Sequence, residues 1–317
     1  MQKIRANLSR LFLKKLSDNE SARIKKIEEL QEQHQGKPFV FDEGNLRFMY
    51  FNQKSVQSAM KIDAPNQLLC GYTSAMMGFL LAKPMPEHIL MIGLGGGSLV
   101  KFCYRYLPQC RITVLEIDAD VIALRDQFMI PADDERLEII HADAITYLKQ
   151  HQIQTDVVLL DGFDLDGLVE KLNSASFYTA CYAALKPDGI LVTNMWGKRK
   201  QLINLLTKLR KQFAQNVWWC RSLDSYNLLV FSFKGEKHSF TANMTIKAQT
   251  LDQQLPLQLT ELSEQMRTLR LPIPSTAYET DDYEVKELIA LTGQVAELMV
   301  TDDKLPASDV EWSDLHQ

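Results

Sequence analysis

Residues 88–98 read HILMIGLGGGS, a short apolar run that passes directly into a glycine-rich loop. An apolar run of this length predicts a buried strand, and Ser98 opens a segment with helical spacing. Glycines between a strand and a helix permit positive φ and let a ligand approach the backbone closely. The helix start that follows offers free N–H groups and partial positive charge. The stretch therefore predicts a nucleoside or nucleotide site, although the motif alone suits many such ligands.

Strand and helix patterns alternate on the C-terminal side of this loop. Helices are expected at 98–107, 119–128, 143–150, 176–185 and 198–213, and strands at 111–115, 136–141, 156–160 and 190–194. Repeated β-α units with short apolar strands predict a parallel sheet with helices on both faces. Only residues 221–226 separate the last two predicted strands, 216–220 and 227–233, so these should pair antiparallel. The predicted fold class is α/β, with a Rossmann-like sheet of the S-adenosylmethionine-transferase type.

Four segments are predicted along the chain. They are a helical extension at 1–36, a small antiparallel β unit at 37–69, a Rossmann-like nucleoside-binding catalytic domain at 70–240, and a helical appendage with an acidic tail at 241–317. The β unit rests on three short strand patterns within 37–62. A helix at 70–82 leads into the catalytic domain, and the appendage rests on helical patterns at 257–270 and 283–299.

Composition excludes several classes of protein. The chain has 317 residues, 46% of them hydrophobic, and a net charge of −5. No stretch approaches the roughly 18 unbroken apolar residues of a membrane helix, and the negative charge disfavours a nucleic-acid partner. Five scattered cysteines without a C-x-x-C pair indicate reduced thiols and a cytoplasmic location. Six unclustered histidines give no metal-site spacing, so no metal is expected.

Acidic residues follow the next two predicted strands. Glu116 comes about 20 residues after the glycine loop, where a carboxylate can accept both ribose hydroxyls. Asp143, followed by Ala144, ends the third strand, where a carboxylate can accept from an adenine amino group. Read singly, such acids are also ordinary turn and N-cap residues. Together with the loop they predict an adenosine site, with these cofactor-binding residues: Gly93, Gly95, Gly96, Gly97, Glu116, Asp143 and Ala144. A nicotinamide dinucleotide fits less well, because the fingerprint's sixth position holds Ser98 and the sheet should end in a hairpin.

An acidic loop follows the fourth predicted strand. Residues 161–167 read DGFDLDG and place three carboxylates within six residues. Clustered carboxylates raise one another's pKa and attract cations, and both a sulfonium donor and an amine acceptor are cationic. A carboxylate beside the amine can orient it and accept its proton. The alternative is a solvated loop that caps a helix.

The order of these motifs resembles the spermidine synthase family of polyamine aminopropyltransferases over roughly residues 40–233. The resemblance rests on the glycine loop, on VLEID at 114–118, HADA at 141–144 and DVVLLDGFD at 156–164, and on LKPDGI at 185–190. It implies transfer of an aminopropyl group from decarboxylated S-adenosylmethionine to putrescine or a similar amine. Members of the family are usually dimers or larger, so a homodimer is expected.

The resemblance also implies roles for individual residues. Asp161 and Asp164 match the family's D-x-x-D loop, with Asp164 as the catalytic base and Asp161 as the acceptor anchor. Gln57 and Tyr72 match positions that line the active site, and Asn194 falls where the family often has Gln. Glu116 would hold the ribose and Asp143 the adenine.

One departure leaves the donor open. The family's loop reads G-G-G-D-G, and its aspartate binds the donor's amine, whereas this chain has Gly96 there. Without that carboxylate the loop suits ordinary S-adenosylmethionine at least as well, so methyl transfer is an alternative, and a non-catalytic relative is a third. Retention of Asp161 and Asp164 speaks against the third, and Gly96→Asp should strengthen binding of the decarboxylated donor.

Overall fold

The structure is a computed structural model that describes residues 20–52, 55–164, 167–168, 170–196, 199–214, 216–222, 227–235 and 243–269. It confirms the α/β class, with a small antiparallel sheet followed by a mostly parallel one. None of the helices in this described part is long and apolar enough to cross a membrane.

The N-terminal part is a helix and three strands, α1 (Glu20–His34), β1 (Phe39–Glu43), β2 (Leu46–Asn52) and β3 (Ser55–Lys61). The strands pair antiparallel in the order β1-β2-β3, as the sequence predicts. Aromatic side chains such as Phe39 and Tyr50 pack in a small core with Ile27 of α1. Met49 and Met60 instead join the core of the large sheet. The small sheet is thus packed directly against the domain that carries the glycine loop.

The central part contains the elements of the large sheet and the helices that cover it. They are α2 (Gly71–Met76), which continues as a 3-10 helix (Met77–Leu81), β4 (His88–Ile92), α3 (Ser98–Tyr106), β5 (Arg111–Glu116), α4 (Ala119–Ala123), β6 (Leu137–His141), α5 (Ala144–Gln150), β7 (Thr155–Leu160), β8 (Phe163–Asp164), β9 (Gly167–Leu168), a 3-10 helix (Glu170–Asn173), α6 (Ala175–Ala184), β10 (Leu185–Met195), α7 (Arg199–Gln212), β11 (Val217–Arg221) and β12 (Leu228–Phe233). The C-terminal part adds α8 (Met244–Gln254), α9 (Leu259–Gln265) and β13 (Arg267–Thr268).

The large sheet has the strand order β13-β11-β12-β10-β7-β4-β5-β6. Strands β10, β7, β4, β5 and β6 are parallel, which places the carboxyl ends of β4, β5 and β7 at one edge. Every residue of β4 and β7 is buried, because helices cover both faces. Strands β11 and β12 pair antiparallel with each other, and β12 pairs antiparallel with β10, so the predicted terminal hairpin is confirmed.

Two predicted elements of the central part are different in the structure. The helix expected at 119–128 ends at Ala123, and turns then bury Phe128 and Ile130 beneath the glycine loop, with Met129 at a φ of 53°. The strand expected at 190–194 begins earlier, at Leu185, and has an irregularity before Ile190: Leu185 pairs with Thr155, and Ile190 pairs with Val157. Both differences follow from packing that local propensity does not record.

The C-terminal appendage also departs from the prediction. The helix expected at 257–270 is shorter, because the chain leaves it after Gln265 and pairs β13 with the edge strand β11. Helix α8 is not predicted at all, since its sequence is mostly polar. The helix expected at 283–299, the acidic tail and residues 1–19 lie outside the described residues, and the domain boundaries stay predictions.

Candidate functional site

The glycine loop connects β4 to α3 and lies against the acidic loop. Gly93 has a φ of 98°, and a Cβ placed there would come within 2.3 Å of the carbonyl oxygen of Asp161. Gly97 precedes α3 with a φ of 65°, and its Cβ would come within 2.5 Å of Ile130. Only glycine suits both positions, because positive φ and lack of space coincide. The loop therefore brings the start of α3 and the end of β7 together at one edge of the sheet.

Glu116 ends β5 beside this loop, as expected for a ribose-binding carboxylate. Its Oε2 accepts a hydrogen bond from the N–H of Leu94 at 2.8 Å, and its Oε1 accepts from the N–H of Asp118 at 2.9 Å. Burial raises the pKa of Glu116, although these backbone hydrogen bonds oppose the rise. Each carboxylate oxygen has a second lone pair, so the fixed side chain can still accept from two hydroxyls.

Asp143 follows β6, whose last residue His141 lies opposite Glu116 in the β5–β6 pairing. Its Oδ1 accepts from the N–H of Thr146 at 2.7 Å and caps α5, which begins at the buried Ala144. Asp143 is thus the N-cap residue of α5, which is the ordinary structural role of an acid at such a position. Among the described residues Oδ2 accepts no hydrogen bond, so the same side chain can cap the helix and accept from a ligand.

Gly96 lies where little space is left for a side chain. Its N–H donates to the Oγ of Ser58 on β3 at 3.0 Å. A Cβ on Gly96 would come within 2.7 Å of that Oγ and within 2.8 Å of the Phe128 ring. An aspartate introduced here must displace both neighbours, so Gly96→Asp is a poorer test of donor preference than the sequence suggests.

A buried cation lies below the glycine loop. Lys101 of α3 is only 1% exposed, and its Nζ donates to the carbonyl oxygen of Phe128 at 2.8 Å and to the Sδ of Met60 at 3.0 Å. Burial lowers the pKa of Lys101 to about 8. No carboxylate among the described residues pairs with it. A positive charge therefore lies close to the loop that would hold the donor.

Asp161 directly follows β7 and takes part in a network of polar side chains. Its Oδ1 accepts from the Nδ2 of Asn194 on β10 at 2.8 Å, and its carboxylate also accepts a hydrogen bond from Tyr72 on α2. The Nδ2 of Asn227, just before β12, donates in turn to the Oδ1 of Asn194 at 2.9 Å. Desolvation raises the pKa of Asp161 to about 6, and the bonds from Asn194 and Tyr72 oppose the rise.

Two further predicted residues are located only in part. Gln57 is half-buried on β3, at a register shift where Met49 pairs with Ser58 and Tyr50 pairs with Val56. Such a bulge redirects side chains, and here it lies next to the serine that contacts the glycine loop. Asp164 lies in the short strand β8, which begins two residues after Asp161 and pairs with β9. The side chain of Asp164 is outside the described residues.

The structure adds three residues that sequence reasoning missed, namely Ser58, Lys101 and Asn227. Ser58 follows Gln57 directly, and only the packing of the two sheets shows that it touches the glycine loop. Asn227 precedes the apolar run of β12, which is the one signal that could have drawn attention to it. The predicted donor residues and the network around Asp161 therefore lie at the same edge of the large sheet. Strand β3 contacts this edge through Ser58, and helix α2 contacts it through Tyr72.

The metal prediction receives no test. Within the described ranges, no three His, Cys, Asp or Glu side chains lie close enough together to hold a metal ion. The expectation of a metal-free reaction stays a prediction.

Comparison with known proteins identifies the family. The model of the spermine/spermidine synthase domain matches residues 69–244, more than half of the chain. The chain belongs to the spermine/spermidine synthase family.

Individual relatives agree with this result. A polyamine aminopropyltransferase of Neisseria meningitidis serogroup A is 38% identical over 197 residues, which cover 62% of this chain and 75% of the relative. One from Chromobacterium violaceum is 37% identical over 196 residues, with the same coverage. The predicted resemblance and the predicted transferase class are confirmed, since these relatives are named as transferases.

A solved structure is similar in fold. Spermidine synthase from Thermotoga maritima has a TM-score of 0.55 at 18% identity, covering 80% of this chain and 87% of that one. At this identity the similarity supports the Rossmann-like fold and not a substrate.

Proposed function

We propose that the protein is a polyamine aminopropyltransferase that moves an aminopropyl group from decarboxylated S-adenosylmethionine to a small amine such as putrescine. The observation that carries the proposal is Asp161, a half-buried residue whose carboxylate is held by Tyr72 and Asn194 and whose backbone lies against Gly93 of the glycine loop. A carboxylate in this position attracts a cationic amine to the end of the site where the aminopropyl group of the donor would lie.

The proposed chemistry is a direct displacement. The amine nitrogen attacks the aminopropyl carbon bonded to the sulfonium sulfur, the C–S bond breaks, and its electron pair stays on sulfur. The leaving group is a neutral thioether, so the step needs no general acid. Asp164 accepts the proton of the attacking amine, and Asp161 holds the amine in position.

The acceptor anchor has a predicted pH dependence. Because burial raises the pKa of Asp161 to about 6, it is an anionic anchor above that pH and a neutral acid below it. We therefore expect amine binding to weaken as the pH falls through about 6.

The donor side of the proposal rests on backbone-held groups. Glu116, whose two oxygens are fixed by the N–H groups of Leu94 and Asp118, would accept the ribose hydroxyls. Asp143 would accept from the adenine amino group through Oδ2, and the glycine loop would contact the sugar and the sulfonium chain.

A second candidate function is methyl transfer from ordinary S-adenosylmethionine. It is supported by Gly96 itself, which stands where the resemblance places an aspartate for the donor's ammonium group, and by the nearby cation of Lys101. Both features favour a donor that keeps its own carboxylate.

Calorimetric titration of the purified protein separates the two candidates. The ligands are S-adenosylmethionine, its decarboxylated form and methylthioadenosine, and Glu116→Gln is the control for site-specific binding. Tighter binding of the decarboxylated donor supports aminopropyl transfer, and tighter binding of the ordinary donor supports methyl transfer. Failure of wild type to bind any of the three contradicts both.

Assembly and location are further parts of the proposal. We expect a homodimer in the cytoplasm with a small-molecule amine as its only partner besides the donor, and with no nucleic acid or membrane. Sedimentation of the purified protein tests the dimer, and fractionation of the producing cells tests the location.

A further inference from the structure

The orientation of one amide decides what faces the anchor carboxylate. Asn194 is only 2% exposed, and its Nδ2 donates to Asp161 at 2.8 Å. An amide can be turned over at little internal cost, and the opposite orientation would present Oδ1 to the carboxylate. Two acceptors would then face each other, and the anchor would lose a hydrogen bond in a half-buried place.

The hydrogen-bond partner on the other side of Asn194 determines the orientation of its amide. Asn227 donates its Nδ2 to the Oδ1 of Asn194 at 2.9 Å, so only the Nδ2 of Asn194 remains to face Asp161. Asn227 is itself buried, and its carbonyl oxygen accepts from the N–H of Ser222 at 2.9 Å, which fixes its backbone between β11 and β12. The contact exists because β12 pairs with β10, with Leu229 opposite Asn194.

From this geometry we propose that Asn227 is a positioning residue for amine binding: it orients the Asn194 amide, which in turn holds the Asp161 carboxylate. The inference rests on the proposed function for its consequence in turnover, but its structural claim is independent of any substrate. The contact that links Asn227 to this network is its hydrogen bond to Asn194, so it acts through Asn194.

The groups that face Asp161 are few. Tyr72 comes from α2 and Asn194 from β10, and the backbone of Gly93 lies against its carbonyl group. Among the described residues no charged side chain contributes to its titration. A change in the titration of Asp161 therefore reports on its desolvation and on the two hydrogen-bond donors, and the control variant and the Asn194→Ala background separate the part that runs through Asn194.

The test compares Asn227→Asp with Asn216→Asp. An aspartate at 227 repels the Oδ1 of Asn194 and attracts its Nδ2, so the amide turns over. Asn216 lies at the other end of the β11–β12 pair and donates at 3.5 Å to the carbonyl oxygen of Gly235, so it is a matched control. Thermal unfolding first checks that each variant is folded.

The first readout needs no substrate. The carboxyl carbon of Asp161, assigned with Asp161→Asn, is titrated by NMR. We expect its midpoint to rise by about one pH unit or more in Asn227→Asp and to stay unchanged in Asn216→Asp. The shift should be largely absent in the double variant Asn194→Ala/Asn227→Asp, because Asn227→Asp then has no Asn194 amide through which to act on Asp161.

The second readout is turnover. In Asn227→Asp we expect the KM for the amine to rise about 3- to 10-fold, the size of one lost hydrogen bond, with the donor Kd unchanged. An unchanged midpoint, or an equal shift in the Asn194→Ala background, overturns the inference. A shifted midpoint in a protein that transfers no aminopropyl group supports the inference and refutes the proposed function.

Discussion

The two halves of the site are held in place by different means. In the donor half, the carboxylates of Glu116 and Asp143 accept hydrogen bonds from backbone N–H groups: Glu116 from Leu94 of the glycine loop and from Asp118, and Asp143 from Thr146. In the acceptor half, Asp161 is bonded to side chains from α2 and β10, and the network continues to Asn227. Backbone donors are placed by the strand ends and loops of the sheet whatever their side chains are, whereas a side-chain network depends on which residues stand at positions far apart in sequence. The acceptor half can therefore change with few substitutions, while the donor half stays tied to the fold.

The largest expected effect is in the acceptor half. Asp164→Asn should lower kcat about 10²- to 10⁴-fold, because a general base is lost, while calorimetry should give an unchanged donor Kd. Asp166→Asn in the same loop is the control and should change kcat little. A kcat near that of wild type for Asp164→Asn would remove Asp164 from the chemistry.

The next effect concerns the contact between the two halves. Gly93→Ala combines a φ of 98° with a Cβ 2.3 Å from the carbonyl oxygen of Asp161, whereas Gly36→Ala has a φ of 83° and no atom within 4 Å. Backbone strain should cost about 1 kcal/mol in either variant, and crowding should add about 1–3 kcal/mol in Gly93→Ala alone. Urea unfolding measures the difference, and equal losses would show that the two loops do not abut.

The cation below the donor loop gives a pH-dependent prediction. Lys101 has an ordinary pKa of 10.5 and a folded-state pKa of about 8. Below pH 8 it is protonated in both the folded and the unfolded state, and the folded state bears the full cost of burying the charge. Between pH 8 and 10.5 only the folded protein releases the proton, so this residue's contribution to stability should rise by about 3 kcal/mol.

Comparison with Lys101→Met isolates this contribution from other groups that titrate at high pH. The free energy of unfolding of wild type minus that of Lys101→Met should rise across that range. A flat difference between pH 8 and 10.5 would contradict this, because it would show that burial leaves the pKa of Lys101 at its ordinary value.

The smallest effect separates two roles of one residue in the donor half. Asp143→Ala should lose about 1 kcal/mol of stability with the N-cap of α5, as should Ser174→Ala at the N-cap of α6. Asp143→Asn keeps the capping oxygen and should stay as stable as wild type, yet bind methylthioadenosine about 3- to 10-fold more weakly. Unchanged binding in Asp143→Asn would leave only the structural role.

Part of the site can be predicted from the sequence because it depends only on the order of strands and loops. Glu116 and the glycines follow strands at fixed spacing, so their meeting at one edge follows from a parallel sheet. Asn227 could not be predicted as a site residue, because its contact with Asn194 depends on the pairing of β10 with β12. Lys101 is missed for a related reason: a lysine on a helix is expected in solvent, and only the fold shows it between β3 and the 124–130 turns.

The shortened helix at 119–128 makes the same point about packing. Its sequence has helical spacing, but Phe128 is needed beneath Gly96, and the chain leaves the helix after Ala123 to reach that place. Local pattern thus predicts where the strands and the glycine loop lie, and long-range contacts determine where the helix ends; the ligand roles of the donor residues stay predictions.

Product analysis tests the central claim most directly. The purified protein is incubated with decarboxylated S-adenosylmethionine and putrescine at pH 8, and products are identified by mass spectrometry, with Asp164→Asn as the blank. The account predicts equal amounts of methylthioadenosine and an amine enlarged by one aminopropyl group. Release of S-adenosylhomocysteine from the ordinary donor with a methylated amine, and no aminopropylated product, would contradict it.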